Sequence, residues 1–121
     1  WSTRQRTPYV PSPLLYQGGL YFLRHYQGIL TRLETKTGNE ATGPFRLGGV
    51  SDIYSSPVAA SNRIYITDRQ GATLVISGDA NPKFLARNVL NDSFSASAAI
   101  VGREMFLRGA RKLYCLAADK K

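Results

Sequence analysis

The chain carries one histidine, His25, and one cysteine, Cys115. Two such residues cannot supply the three or four nitrogen and sulfur ligands of a zinc site, and a lone cysteine forms no internal disulfide. A Ser-His-Asp relay would need His25 to reach a serine and an aspartate from Arg24-His25-Tyr26-Gln27-Gly28, a stretch that reads as a hairpin tip. A solvated turn residue is the plainer reading of His25. Asp52, Asp68, Asp79 and Asp92 all fall in turn-like segments, where aspartate serves local backbone hydrogen bonds, so paired-carboxylate hydrolysis has no support. Neither a phosphate-cradling glycine loop before a helix nor a dinucleotide fingerprint occurs. Cys115, between Tyr114 and Leu116, reads as a small buried hydrophobe on a strand. These residues predict no catalytic, cofactor-binding or metal-binding set.

The remaining chemistry is charge. Sixteen Lys and Arg against eight Asp and Glu give a formal +8, in 121 residues of which 43% are hydrophobic, enough to build a core. Apolar runs such as Leu20-Tyr21-Phe22-Leu23 and Leu74-Val75-Ile76 fall far short of the roughly 20 residues of a membrane-crossing helix.

What positions these charges is an internal repeat. Pro11-Ser12-Pro13-Leu14-Leu15-Tyr16-Gln17-Gly18-Gly19-Leu20-Tyr21-Phe22-Leu23 falls on residues 55–67, with Ser56-Pro57 and Ile64-Tyr65-Ile66 in register. A third copy, residues 95–107, has Ser97-Ala98 for Ser-Pro and Phe106 for the tyrosine. Each copy holds short runs of Val, Ile, Leu and Tyr separated by Gly, Asn, Asp or Ser, the pattern of antiparallel strands joined by hairpins, and no segment sustains a helical period. In the first copy the strands are expected over 13–16, 20–24, 29–33 and 45–47, with the Ser-Pro pairs at the start of the innermost strands. Gly18-Gly19 and Ser61-Asn62 suit turns with positive φ, and Gly28 and Gly71 suit left-handed turn ends. Four short strands in a period of about 40 residues are the unit of a β-propeller blade.

The expected fold is therefore all-β, about three four-stranded antiparallel blades over approximately 9–50, 51–92 and 93–121, with 1–8 a linker or the end of a preceding blade. Three blades leave a ring incomplete, so further blades or copies are expected to close it, and a C-terminal fragment of a longer propeller is the favoured account. Its last blade would borrow an outer strand from a segment outside residues 1–121.

The stretch Ile29-Leu30-Thr31-Arg32-Leu33-Glu34-Thr35-Lys36-Thr37-Gly38 resembles the repeat of quinoprotein-like propellers, which reads Ala-Leu-Asp-Ala-x-Thr-Gly-Lys-x-x-Trp. Leu33, Thr37 and Gly38 match, Glu34 stands for the Asp, and Thr42 occupies the place of the docking Trp. Trp1 would be the closing Trp of a preceding blade. The resemblance implies that Thr-Gly turns the chain and the Trp docks on a neighbouring blade, and Tyr21, Tyr65 and Phe106 are assigned to equivalent packing positions. It also implies a periplasmic or extracellular setting. The quinone-dependent dehydrogenases of this superfamily hold a quinone and calcium with a dedicated residue set and often a vicinal disulfide, and none of that set maps onto positions here. The expectation is a non-catalytic scaffold without cofactor, resembling the branch that serves bacterial outer-membrane protein assembly. The alternative is a fragment of a quinone-dependent dehydrogenase whose catalytic residues lie in other blades.

Strand alternation sorts the charges. Connections leaving the second strand of each unit lie at one end, which gathers Arg24, His25, Arg69, Arg108, Arg111 and Lys112, with Arg4 and Arg6 in the lead-in, against Asp52, Asp68 and Asp92. The opposite end receives Arg63, Arg103, Glu104, Glu34 and Lys36, nearly balanced. The basic end is the expected contact surface for a protein or other anionic partner, drawn by long-range attraction. Nucleic acid is the weaker candidate, since no recognised nucleic-acid module is present.

Overall fold

Short apolar runs punctuated by residues that tolerate positive φ have one economical solution, the up-and-down sheet. The computed structural model describes residues 1–4, 7–24 and 28–118, and the described residues form eleven strands in three antiparallel sheets with no helix. Sheet one holds β1 (Leu14–Tyr16), β2 (Gly19–Leu23), β3 (Ile29–Glu34) and β4 (Phe45–Arg46) in chain order. Sheet two repeats it with β5 (Val58–Ala60), β6 (Arg63–Thr67), β7 (Ala72–Ser77) and β8 (Phe84–Val89). Sheet three has β9 (Ala99–Val101), β10 (Glu104–Arg108) and β11 (Leu113–Ala117), and no fourth strand among the described residues. The result is an unclosed, propeller-like stack of three sheets.

The repeat alignment holds at the level of register. Tyr21 pairs with Leu14, Tyr65 with Val58 and Phe106 with Ala99, so the three aromatics sit opposite the first residue of the inner strand in each sheet. Pro13, Pro57 and Ala98 each immediately precede that strand, where a missing N–H interrupts no ladder. The serines before them link the sheets. The Ser12 N–H donates to Ser56 Oγ at 2.8 Å, and the Ser56 N–H donates in turn to Ser97 Oγ at 3.0 Å. One hydrogen bond, repeated at spacings of 44 and 41 residues, thus holds the three inner strands side by side.

One turn assignment needs correction. The β1–β2 turn places positive φ at Gln17 and Gly18, while Gly19 is the first residue of β2. Gly71 is left-handed as expected, at φ +98°. Gly28 is required for space, because a Cβ there would lie 2.8 Å from the Val50 carbonyl oxygen and 2.9 Å from that of Leu47. The Ser61-Asn62 turn is left-handed at both residues, as its hairpin demands.

The core sits between sheets one and two. Tyr21, Leu23 and Leu30 of the first meet Ile64, Ile66, Leu74 and Ile76 of the second, with Val50 and Ile53 from the connecting loop closing the edge. At one margin of this apolar layer the Tyr21 hydroxyl reaches across to the Gly78 carbonyl at 3.1 Å, and Arg32 Nε donates to the same hydroxyl at 3.1 Å. A buried arginine is tolerable here because Arg32 also pairs with Glu34 at 2.6 Å and lies over the Tyr21 ring. The hydrogen bond to Glu34 holds the guanidinium above its usual pKa despite the opposing effect of burial. The layer between sheets two and three is more polar. Thr67 and Thr73 share a hydroxyl hydrogen bond of 2.8 Å, the Ser55 hydroxyl donates to the Thr67 carbonyl at 2.6 Å, and buried Phe94 packs on Tyr114.

Trp1 docks on the β3–β4 turn. Its indole N–H donates to the Thr35 carbonyl at 2.8 Å, and its ring fills the space where a Gly38 Cβ would stand. Thr42, in the place of the next docking Trp, donates its hydroxyl to the Ala80 carbonyl at 2.7 Å in the corresponding turn of sheet two. Gly38 is also left-handed, at φ +72°. Gly38→Ala should therefore cost about 1–2 kcal/mol for backbone strain in a Trp1→Ala background and measurably more with the indole present. Urea denaturation of the two single variants and the double variant tests this, and equal costs in both backgrounds would show that the indole does not sit on this turn.

Candidate partner-binding rim

The basic residues singled out by alternation lie at one strand end in each sheet. Arg24 follows β2, Arg69 lies in the β6–β7 turn, Arg108 ends β10, and Arg111 and Lys112 form the β10–β11 turn. His25, the remaining member of the set, lies outside the described residues, as does Arg6. The serine linkage sets the three sheets side by side through their inner strands, so equivalent strand ends share one rim.

At this rim sheets two and three are each stapled to the loop that enters them. In sheet three the Ala110 N–H donates to the Ser93 carbonyl at 2.9 Å, and in sheet two the Arg69 N–H donates to the Asp52 carbonyl at 3.2 Å. A carboxylate reinforces each staple, from opposite sides. Asp68 sits in the turn of sheet two, where its oxygens accept from Gln70 and Ala72 N–H at 3.0 and 2.9 Å and from Ser51 N–H of the entry loop at 3.3 Å. Asp92 sits in the entry loop of sheet three and accepts from the turn, from Arg111 N–H at 3.2 Å and Lys112 N–H at 3.2 Å. It also accepts from Ser93 N–H at 2.8 Å and from the Tyr114 hydroxyl at 3.2 Å. Burial pushes the Asp92 carboxyl up, but these donors outweigh it and hold its pKa below the ordinary aspartate value. Burial and the neighbouring Asp92 charge move the Tyr114 phenol the other way, above its usual value.

The arginines are not equivalent, which sequence alternation did not reveal. Arg69 stacks on Tyr54 with its guanidinium carbon 4.5 Å from the ring centroid and lies 3.8 Å from Asp52. Arg111 lies 3.8 Å from Asp92 and donates to the Asn91 carbonyl, and Arg108 donates to the Gly109 carbonyl. Arg24 and Lys112 are exposed. Asp68 and the Asp92 side chain are turned inward, the latter 1% exposed, so Asp52 is the accessible member of the three acids. Cys115 lies on β11 as expected but is exposed, because among the described residues no sheet covers the face of sheet three that it shares with Phe106. Among the described residues no group of three or more His, Cys, Asp or Glu converges to hold a metal ion, and no helix is long and apolar enough to cross a membrane.

No family model matches the chain, and no curated protein does. Among solved structures it is similar in fold to BamB from Moraxella catarrhalis. The match has a TM-score of 0.46 and 13% identity, covering 88% of this chain and 43% of that one. The chain thus spans less than half the length of that protein, and the residue roles given above follow from its own geometry.

The staple makes a pH prediction. A carboxyl whose folded pKa lies below its unfolded value of about 3.8 contributes stability that is complete above that value and is lost as pH falls through the folded pKa. Asp92→Asn should lower stability at neutral pH, and the gap to the wild type should close progressively below about pH 4. Denaturant melts of both proteins between pH 6 and pH 2.5 measure it. A gap that stays constant over that range contradicts a charged, hydrogen-bonded Asp92.

Proposed function

We propose that this chain is a non-catalytic, propeller-type scaffold that takes an acidic protein, or another anionic partner, on the rim formed by Arg24, Arg69, Arg108, Arg111 and Lys112, the set to which the sequence adds His25. The observation that carries this reading is the recurrence of cations at the same strand end of all three sheets, while Asp68 and Asp92 are consumed in backbone staples. Buried carboxylates that serve the fold leave the rim with more accessible positive than negative charge, and such a field steers an acidic partner. The units 9–50, 51–92 and 93–121, with 1–8 as lead-in, are proposed as successive blades of a ring completed by further blades or by other copies. The periplasmic or extracellular setting, and kinship with quinoprotein-like repeats, rest on the Leu33, Thr37 and Gly38 pattern and on the docked indole at Gly38.

The rim residues divide by their ties. Reversing Arg69 would set a carboxylate beside Asp52 and empty the face of Tyr54, so its effect mixes binding with stability. Arg24 and Lys112 give the cleaner test. Arg24→Glu combined with Lys112→Glu should slow association with poly-L-glutamate by about tenfold at low salt. The melting temperature should hardly move, since exposed charges contribute only about 0–1 kcal/mol. The wild-type rate should itself fall as the screening length shortens to about 8–10 Å near physiological ionic strength. Stopped-flow association across a salt series decides the matter, and rates indifferent to both salt and the double reversal would retire the rim.

A further inference from the structure

The outer strands of sheets one and two are unequal. β4 pairs only with Ile29 and Leu30, near the rim, whereas β8 begins at the opposite end, where Phe84 pairs with Ile76. A cavity of about 210 Å³ opens between the two sheets there. Leu74 and Ile76 of β7, both buried, form its floor, with Phe45 and Leu47 on one side and Pro82 and Phe84 on the other. Phe84 is 67% exposed, an aromatic ring at the mouth of an apolar cleft. Both walls belong to four-stranded sheets, so the cavity is neither an unpaired strand edge nor a sheet face awaiting a neighbour. Arg87 stands at the end nearer the rim, opposite Leu74 in register, and its Nε donates to the Gly49 carbonyl at 2.7 Å, beside Gly48 of the lining. Its Nη groups meet no carboxylate among the described residues, and no acidic residue is among those that line the cavity.

We propose that this cavity docks an acidic segment of a partner protein, which inserts one large apolar side chain between Phe45 and Phe84 and sets a neighbouring carboxylate on Arg87. Size selects the kind of occupant. Sites that enclose a whole small molecule take roughly 300–1,000 Å³, so this cavity suits a single anchoring side chain of a larger partner. Charge selects what flanks the anchor. The exposed guanidinium of Arg87 has donors left over for a paired hydrogen bond to a carboxylate, and exposed Lys83 adds a second cation next to Phe84. A second copy of this chain fits less well, because each copy carries a formal +8 and would set cation against cation. The site shares no residue with the rim and does not rest on it.

The test uses the full chain and the peptide Ser-Asp-Glu-Phe-Asp-Ser-Gly, blocked at both ends, at physiological ionic strength, where attraction by the rim is screened. Titration followed by NMR should shift the amide signals of Leu47, Gly48, Leu74 and Phe84. Replacing the peptide's Phe by Ser, which leaves its charge unchanged, should weaken binding at these amides by about tenfold or more. Replacing its three acids by Ser, or Arg87→Gln in the protein, should weaken it by about tenfold. Phe84→Ala removes an exposed ring, so the fold should persist while binding falls by a similar factor. Equal binding of the Phe and Ser peptides would overturn the docking site and leave the rim standing. Equal binding after loss of the acids would overturn the acidic partner. Phenylacetate bound as tightly as the peptide would give the cavity to a small carboxylate, and shifts at the same amides that grow with protein concentration alone would give it to a second copy. Either result, or no binding by about 1 mM peptide, would overturn the proposal.

Discussion

A sheet of three or four short strands has two faces and too little length to fold back over either, so each face of this chain depends on being covered by something outside its own sheet. Sheets one and two satisfy each other through one apolar layer in which Tyr21, Leu23, Leu30, Ile64 and Ile66 are completely removed from solvent. Every other contact is arranged around that layer. The serine linkage fixes the spacing of the inner strands, the indole of Trp1 and the hydroxyl of Thr42 fix the turns at the opposite end from the rim, and the carboxylate staples fix the rim itself. A hydrogen bond alone contributes about 1 kcal/mol, so these links serve alignment, and the apolar layer supplies most of the cohesion.

The two layers between sheets differ in kind, and the difference bears on mobility. The first is apolar, crossed by a tyrosine whose hydroxyl is satisfied by a backbone carbonyl and a buried arginine. In the second, threonine and serine hydroxyls satisfy one another or nearby carbonyls, and Phe94 is the large buried aromatic. Less apolar area in the second layer means less free energy holding sheet three. Sheet three is accordingly the unit that should open first, although Asp92 ties its entry loop to its own turn.

Much of the architecture was legible from local spacing. Strands expected over 13–16, 20–24, 29–33 and 45–47 are found at Leu14–Tyr16, Gly19–Leu23, Ile29–Glu34 and Phe45–Arg46, since apolar alternation and turn residues act over a few positions. The grouping of Arg24, Arg69, Arg108, Arg111 and Lys112 was legible for the same reason. What escaped depends on contacts between distant segments. The space that Gly28 leaves is set by two carbonyls of the 47–50 segment, a contact that local spacing does not show. Cys115 was read as buried because its apolar neighbours suggest a covered strand, and coverage is a property of the adjoining sheet. Arg69 looked like any other rim cation until Tyr54 and Asp52 were seen to hold it.

The two carboxylate staples join the same pair of segments, yet the acid stands in the turn of one sheet and in the entry loop of the other. Natural drift can therefore relocate the acid across the joint without moving either backbone, provided that one side retains it. Duplicated units built this way are free to diverge at both positions while their joint persists. A comparison of residues column by column would score these positions as unrelated, although they perform a single shared task.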